Sequence, residues 1–212
     1  MKTAASLAAA LVVFCSHQAL SQGVRIGFEG GTLVVEGPSI YSGNINDGGL
    51  GFNPLYSLGL KATLPGFDEW NAFSVRAAVL FTNRNGQLQG EGHISNVTSS
   101  LTMVSFSFGN EATLVRGPVA PYIGANLLLN AFGNLKWHES EHNQSSSTSL
   151  GVNAGLGFCA GVRFTLSPLT DLGVGLSYNL NNVIGAGFAG DQGRAPTLNT
   201  YGISVSVLTS IF

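Results

Sequence analysis

Charge is the first thing in short supply. Of 212 residues, nine are Lys or Arg and eleven are Asp or Glu, together 9% of the chain, where about 25% is usual. A surface that meets water throughout needs those missing ions, so much of this one is expected to face something else. No Lys/Arg run tracks a phosphate backbone and the net charge is −2, which excludes the basic footprint of a nucleic-acid binder. Cysteine is nearly absent. Cys15 lies in a segment that reads as removable, which leaves Cys159 alone and no intramolecular disulfide possible. Missing too is any run of about eighteen apolar residues, so no helix is expected to cross a bilayer.

Residues 1–21 carry the parts of a secretory signal peptide. Lys2 supplies the positive start, Ala4 to Phe14 an apolar stretch too short to span, and Ala19-Leu20-Ser21 small residues for cleavage near Ser21/Gln22. Phe14 is bulky where a lipoprotein signal wants a small residue before its cysteine, so Cys15 is not read as a lipid anchor. The mature domain is then 22–212, long enough for one sizeable core.

What the chain has in excess is glycine, 29 residues against a usual share of about 7%, set into an alternating pattern. From Leu150 to Leu166 the even positions are Leu, Val, Ala, Leu, Phe, Ala, Val, Phe and Leu, while the odd ones are mostly Gly with Asn153, Cys159, Arg163 and Thr165. A period of two over seventeen residues is a strand with one apolar face and one small or polar face. Seven more runs repeat it, around 24–29, 56–64, 73–82, 104–109, 123–130, 172–180 and 201–207; Leu80 breaks the rule in the third.

The connections, roughly 37–52, 65–71, 84–97, 115–119, 134–148, 167–170 and 182–197, alternate long with short. The long ones are rich in Gly, Asn and Ser, and two short ones hold Pro118 or Pro168. Eight strands of about ten residues, with ends that differ in this way, predict an all-β fold: an antiparallel up-and-down transmembrane barrel with long external loops and short periplasmic turns. Hydrocarbon offers the backbone no hydrogen-bond partner, so spanning strands must close on themselves. A soluble barrel with the apolar face inward is disfavoured, because eight strands of Leu, Val and Phe would overfill so narrow a lumen.

The few charges follow the pattern. Arg25, Glu29, Lys61, Arg76 and Arg163 all fall on the non-apolar face of their strands. Facing lipid near the midplane, an Arg or Lys would cost ~2–4 kcal/mol; facing inward, these groups can pair and plug the interior. A constriction that selects solutes is the other reading of the same five residues.

The stretches APYIGANLLLNAF (120–132) and GVNAGLGFCAGVRFTLSP (151–168), with the aromatic end at Phe212, give residues 22–212 a chain that resembles the small outer-membrane β-barrel family of outer membrane proteins A, X and W. The resemblance implies an outer-membrane location, a monomer surrounded by outer-membrane lipid, and insertion by the outer-membrane assembly machinery, which reads the last strand. One departure stands out. Tyr201, Ile203, Val205, Val207 and Ile211 share one parity while Leu208 and Phe212 have the other, so either a bulge falls near Leu208 or the terminal signal differs.

Two short motifs invite enzymatic readings. HESEH (138–142) fits the H-E-x-x-H of zinc proteases, but its flanks GNLKW and NQSSSTS favour a solvated loop over the packed helix that motif needs. HISN (93–96) resembles the His-x-Ser-Asn segment of lipid A deacylases, with Glu111 as a conceivable third member, yet it comes early in the chain, where that family carries it late. No catalytic residue, metal ligand or cofactor is therefore assigned. The expected function is non-enzymatic: a largely plugged barrel contributing to envelope structure or surface interaction. A narrow channel for small solutes is the alternative, and a lipid A deacylase-like enzyme the third reading.

Overall fold

Residues that alternate outward and inward can pair edge to edge indefinitely, and here they do so until the sheet meets itself. The computed structural model describes residues 23–37, 42–90, 93–141, 144–149, 152–185 and 199–211; the expected signal segment, His142 and Phe212 lie outside them. The strands are β1 (Arg25–Glu36), β2 (Leu55–Pro65), β3 (Asn71–Gly90), β4 (His93–Thr113), β5 (Val119–Glu139), β6 (Gln144–Ser149), β7 (Val152–Ser167), β8 (Thr170–Gly185) and β9 (Asn199–Ser210). Each pairs antiparallel with its neighbour, and the β1–β9 and β4–β5 ladders complete the ring. β5 pairs with β6 and with β7 in one continuous register, Asn134 opposite Ser149 and Ala131 opposite Val152. β6 and β7 therefore form one stave, and the wall is a closed eight-stranded barrel.

The outward face is greasy. Phe28, Leu58, Leu60, Phe108, Leu127, Phe158, Leu176 and Ile203 are all exposed, and only hydrocarbon makes that many exposed apolar side chains stable. Val152, Leu156 and Val174 belong to this belt, while Gly155 and Gly173 are buried on the other face. Tyr56, Tyr178 and Tyr201 ring its end nearest the long connections, with Tyr178 directly opposite Tyr201.

Two expectations from the sequence need correction. Within the expected connections 84–97 and 134–148, residues 84–90, 93–97, 134–139 and 144–148 are strand rather than loop. β3, β4 and β5 run for 20 or 21 residues each, twice the expected span, and β3–β4 continues as a hairpin with Gly90 opposite His93. Past Phe81 the outward residues of β3 change to Asn83, Asn85, Gln87 and Gln89. The ladder continues because backbone pairing needs no particular side chain; only the apolar signal stops. The result is a four-stranded sheet, β3 to β6, standing beyond the apolar belt.

The interior is also less polar than expected. Toward the long-connection end Leu33, Val35, Leu55, Ala78, Leu80, Leu101 and Met103 point inward and bury Phe52 of the β1–β2 connection. Leu80 breaks the outward pattern because it belongs to this core. The connection is latched to the wall: Asn53 Oδ1 accepts from Val35 N (2.6 Å), Ser99 Oγ donates to Leu50 O, and Asn46 Oδ1 accepts from Gln87 N (3.0 Å). Ile45 fits over Gly86, where a Cβ would come within 2.6 Å of it.

At β9 no bulge occurs. Its registers with β1 and β8 run unbroken from Asn199 to Ser210, so Leu208 simply points inward between Gly27 and Asp171, 1% exposed. At the opposite end of the barrel from the long connections, Asp68 caps the β2–β3 turn by accepting from Asn71 Nδ2 (2.7 Å), Trp70 N (2.9 Å) and Asn71 N (2.9 Å).

Two outcomes follow from this geometry. Leu60→Arg, in the belt, is expected to lower the folding free energy in lipid vesicles by about 2–4 kcal/mol, whereas Gln89→Arg, on the outward face of the extension, changes it by less than about 0.5 kcal/mol; urea titrations of folding check both. The Asn71 side chain and the Trp70 N–H hold the Asp68 carboxyl below the usual carboxylate range. The cap is thus complete above the ordinary carboxylate pKa of ~3.9 and is lost only as pH falls through the lowered value, visible as a Trp70 amide shift in an NMR pH titration that Asp68→Asn abolishes.

Candidate functional site

Inside the middle of the barrel, residues on five strands bring charges of both signs together. Glu29 (β1), Lys61 (β2), Arg76 (β3), Glu111 (β4) and Arg163 (β7) all use the inward parity of their strands, and the Lys61–Arg76 pair is directly in register. Lys61 Nζ lies 2.6 Å from Glu111 Oε1 and 3.9 Å from Glu29 Oε2. Arg76 Nε reaches Glu29 Oε1 at 2.6 Å, and Arg163 Nη2 reaches Glu111 Oε2 at 2.9 Å. Arg76 Nη2 also donates to Ser57 Oγ (2.6 Å). Glu29, Lys61 and Glu111 are buried. Buried charges persist only when paired and hydrogen-bonded in this way.

Tyr122 of β5 sits between two of the cations, its ring centre 5.4 Å from Lys61 Nζ and 5.2 Å from the Arg163 guanidinium, within cation–π range. Glycine makes room for it: a Cβ on Gly161 or Gly175 would stand 2.7 Å or 2.9 Å from the Tyr122 hydroxyl. Nearer the short turns Arg25 forms a separate ion pair with Asp171, which is almost fully buried. On the other side of the cluster lies a cavity of about 50 Å³, bounded by Ser74, Ser107, Asn126, Cys159 and Leu33. Beyond it comes the apolar core under Phe52.

All five charges singled out in the sequence therefore project inward. Four of them join one network, while Arg25 pairs apart from it. Sequence reasoning passed over Asp171 and the tyrosine, and gave Glu111 a different role. Their parity carried the signal: Glu111 continues the inward series Ser105, Ser107, Gly109, and Asp171 precedes Gly173 and Gly175.

The two enzymatic motifs come apart. His138 and Glu139 end strand β5, and Ser140 and Glu141 form the turn after it. Extended backbone puts His138 and Glu139 on opposite faces, so the helical geometry of a zinc-protease site is absent, and the expectation of a loop here gives way to a strand end. Ser95 is buried and donates to Glu141 Oε2 at 2.8 Å. Glu111 lies sixteen residues along the same strand, roughly 50 Å away at ~3.3 Å per residue, which rules it out as a partner of Ser95.

The family described as Opacity family porin protein matches residues 73–191, more than half of the chain. The chain belongs to this family. Among solved structures the Opacity-family chain is similar to Neisserial surface protein A, with 17% identity over 90% of this chain and 98% of that one and a TM-score of 0.53. It is also similar to Ail, the attachment invasion locus protein of Yersinia pestis, solved with the heparin analogue sucrose octasulfate, with 12% identity over 89% and 97% of the two chains and a TM-score of 0.51. At such identities the likeness carries the fold. No curated protein sequence matches. The Opacity-family chain is an outer-membrane β-barrel in contact with membrane lipid, so its short turns are periplasmic and its long connections external.

Glu111→Gln in this barrel strips Lys61 and Arg163 of a shared carboxylate and is expected to cost about 3–5 kcal/mol, the range for breaking a buried pair. Adding Lys61→Met to the same chain recovers part of that loss. Urea unfolding in vesicles, followed by tryptophan fluorescence, measures both.

Proposed function

We propose that this Opacity-family barrel is a non-enzymatic surface or envelope protein with a closed interior, in which Arg25, Glu29, Lys61, Arg76 and Arg163 serve as a structural plug. The observation that carries the reading is the presence of two obstructions in series. The ion network fills the middle of the lumen, and Phe52 with its latched connection fills the external half. The cavity of about 50 Å³ between them has room for a few waters rather than a solute.

The carboxylates of Glu29 and Glu111 are each held by two cations, an arrangement that supports rigidity rather than proton transfer. The extended sheet β3 to β6 gives the protein a body outside the membrane, and the names of its structural neighbours, a surface protein and an attachment invasion locus protein, favour a role there. In this reading residues 1–21 are the export signal, the outer-membrane assembly machinery inserts the mature chain, and the barrel works as a monomer.

Planar bilayers test it. The refolded mature chain is expected to give no steady unitary current, at neutral pH and at either polarity. Regular unitary steps would replace the closed barrel with a narrow channel for small solutes.

A further inference from the structure

The sheet that rises past the apolar belt has two faces, and the outward one has no partner among the described residues. Its residues line up in rows across four strands. One row is Asn83, Ser100, Lys136 and Ser147; the next is Asn85, Thr98, His138 and Ser145. Seven of the eight are exposed and Ser100 is half-buried. Cross-strand neighbours in such rows stand about 4.5–5.5 Å apart at Cβ, so the eight side chains make one compact patch. Thr98 Oγ donates to Asn85 Oδ1 at 3.0 Å, which leaves most of the patch's hydrogen-bonding capacity free to face outward.

Height decides what the patch meets. On β3 the rows come two and four residues after Phe81, the last apolar outward residue of that strand. At ~3.3 Å per residue and a tilt of about 40°, that puts Asn83 and Asn85 roughly 5 and 10 Å beyond the hydrocarbon edge. The tilt carries Lys136 and His138 higher, since they follow the last outward belt residue of β5, Ala131, by five and seven positions. The patch therefore begins at the depth of the polar headgroups, about 5–8 Å thick on each side of an ordinary bilayer, and continues above it, where only a larger, sugar-bearing headgroup reaches. The patch is also laterally continuous with the lipid-facing belt below it, so lipid that contacts Phe81 and Phe106 places its headgroup against these rows.

Composition narrows the headgroup. Six of the eight side chains are amides or hydroxyls, two are basic, and none is acidic. Amides and hydroxyls match sugar hydroxyls, and Lys136 beside His138 matches phosphate. The rows hold no aromatic or Arg anchor of the kind that dominates protein–protein contacts. We infer that the outward face formed by Asn83, Asn85, Thr98, Ser100, Lys136 and His138 docks the phosphorylated sugar headgroup of a glycolipid in the outer leaflet. The inference needs only the barrel and its location, and is independent of whether the lumen conducts.

The experiment uses the mature chain folded in phosphatidylcholine vesicles, alone or with lipopolysaccharide, dephosphorylated lipopolysaccharide or phosphatidylglycerol. The midpoint of heat unfolding is read from the mobility of unboiled samples on gels. Ligand that binds only the folded barrel raises that midpoint. Lipopolysaccharide is expected to raise it for the wild type, more than either of the other two additions. In K136E/H138E at least half of the rise should vanish, while the folded fraction in phosphatidylcholine alone stays at the wild-type level. An equal rise in the variant would overturn the assignment of the patch. An equal effect of phosphatidylglycerol or of the dephosphorylated form would overturn the phosphorylated sugar as its ligand.

Discussion

Hydrocarbon supplies no hydrogen-bond partner, and every other feature of this barrel answers to that fact. A strand that crosses lipid must find both neighbours within the chain, so the sheet closes through β1–β9 and β4–β5 and leaves no edge in the membrane. Closure around eight strands sets a narrow bore. The narrow bore in turn dictates what can stand inside it: glycine beside Tyr122, serine beside Arg76, and charge only where the opposite charge is within reach across the lumen.

The interior network shows how so few ions can be used. The chain holds few charged residues, and seven of them, Arg25, Glu29, Lys61, Arg76, Glu111, Arg163 and Asp171, meet inside the barrel. Each carboxylate of the central cluster bridges two cations on different strands, so the network ties β1, β2, β3, β4 and β7 across the lumen rather than along the wall. A hydrophobic filling would be as stable or more so, and the external half of the same lumen uses one, around Phe52. The two halves differ because the β1–β2 connection folds back to cover apolar residues at its own end, while in the middle of the bore the described residues that meet are side chains of the wall.

The external sheet explains the pentapeptide that first suggested a metal site. Outside lipid, a strand has no reason to alternate. The rows around His138 are therefore polar on the outward side, and Ser, Asn and Gln crowd the sequence as they would in a loop. HESEH begins at the end of a long strand that has left the membrane, and its first histidine belongs to a polar face rather than to a helix.

By itself the sequence determined the closed barrel, the number of its staves, the face that meets lipid and the inward place of five charges, because one physical rule, grease outward and everything else inward, acts on every second residue. The inward parity of Glu111 and Asp171 was equally legible, had the runs been carried two residues further. Tertiary structure alone decided the rest. That Leu33, Val35, Leu80 and Leu101 form an internal core depends on a connection folding over them. That β3 to β5 continue well past the belt depends on backbone pairing, which side-chain patterning does not encode. Which cation meets which carboxylate depends on register between strands whose paired residues lie as far as 146 positions apart, and register is a property of the assembled ring.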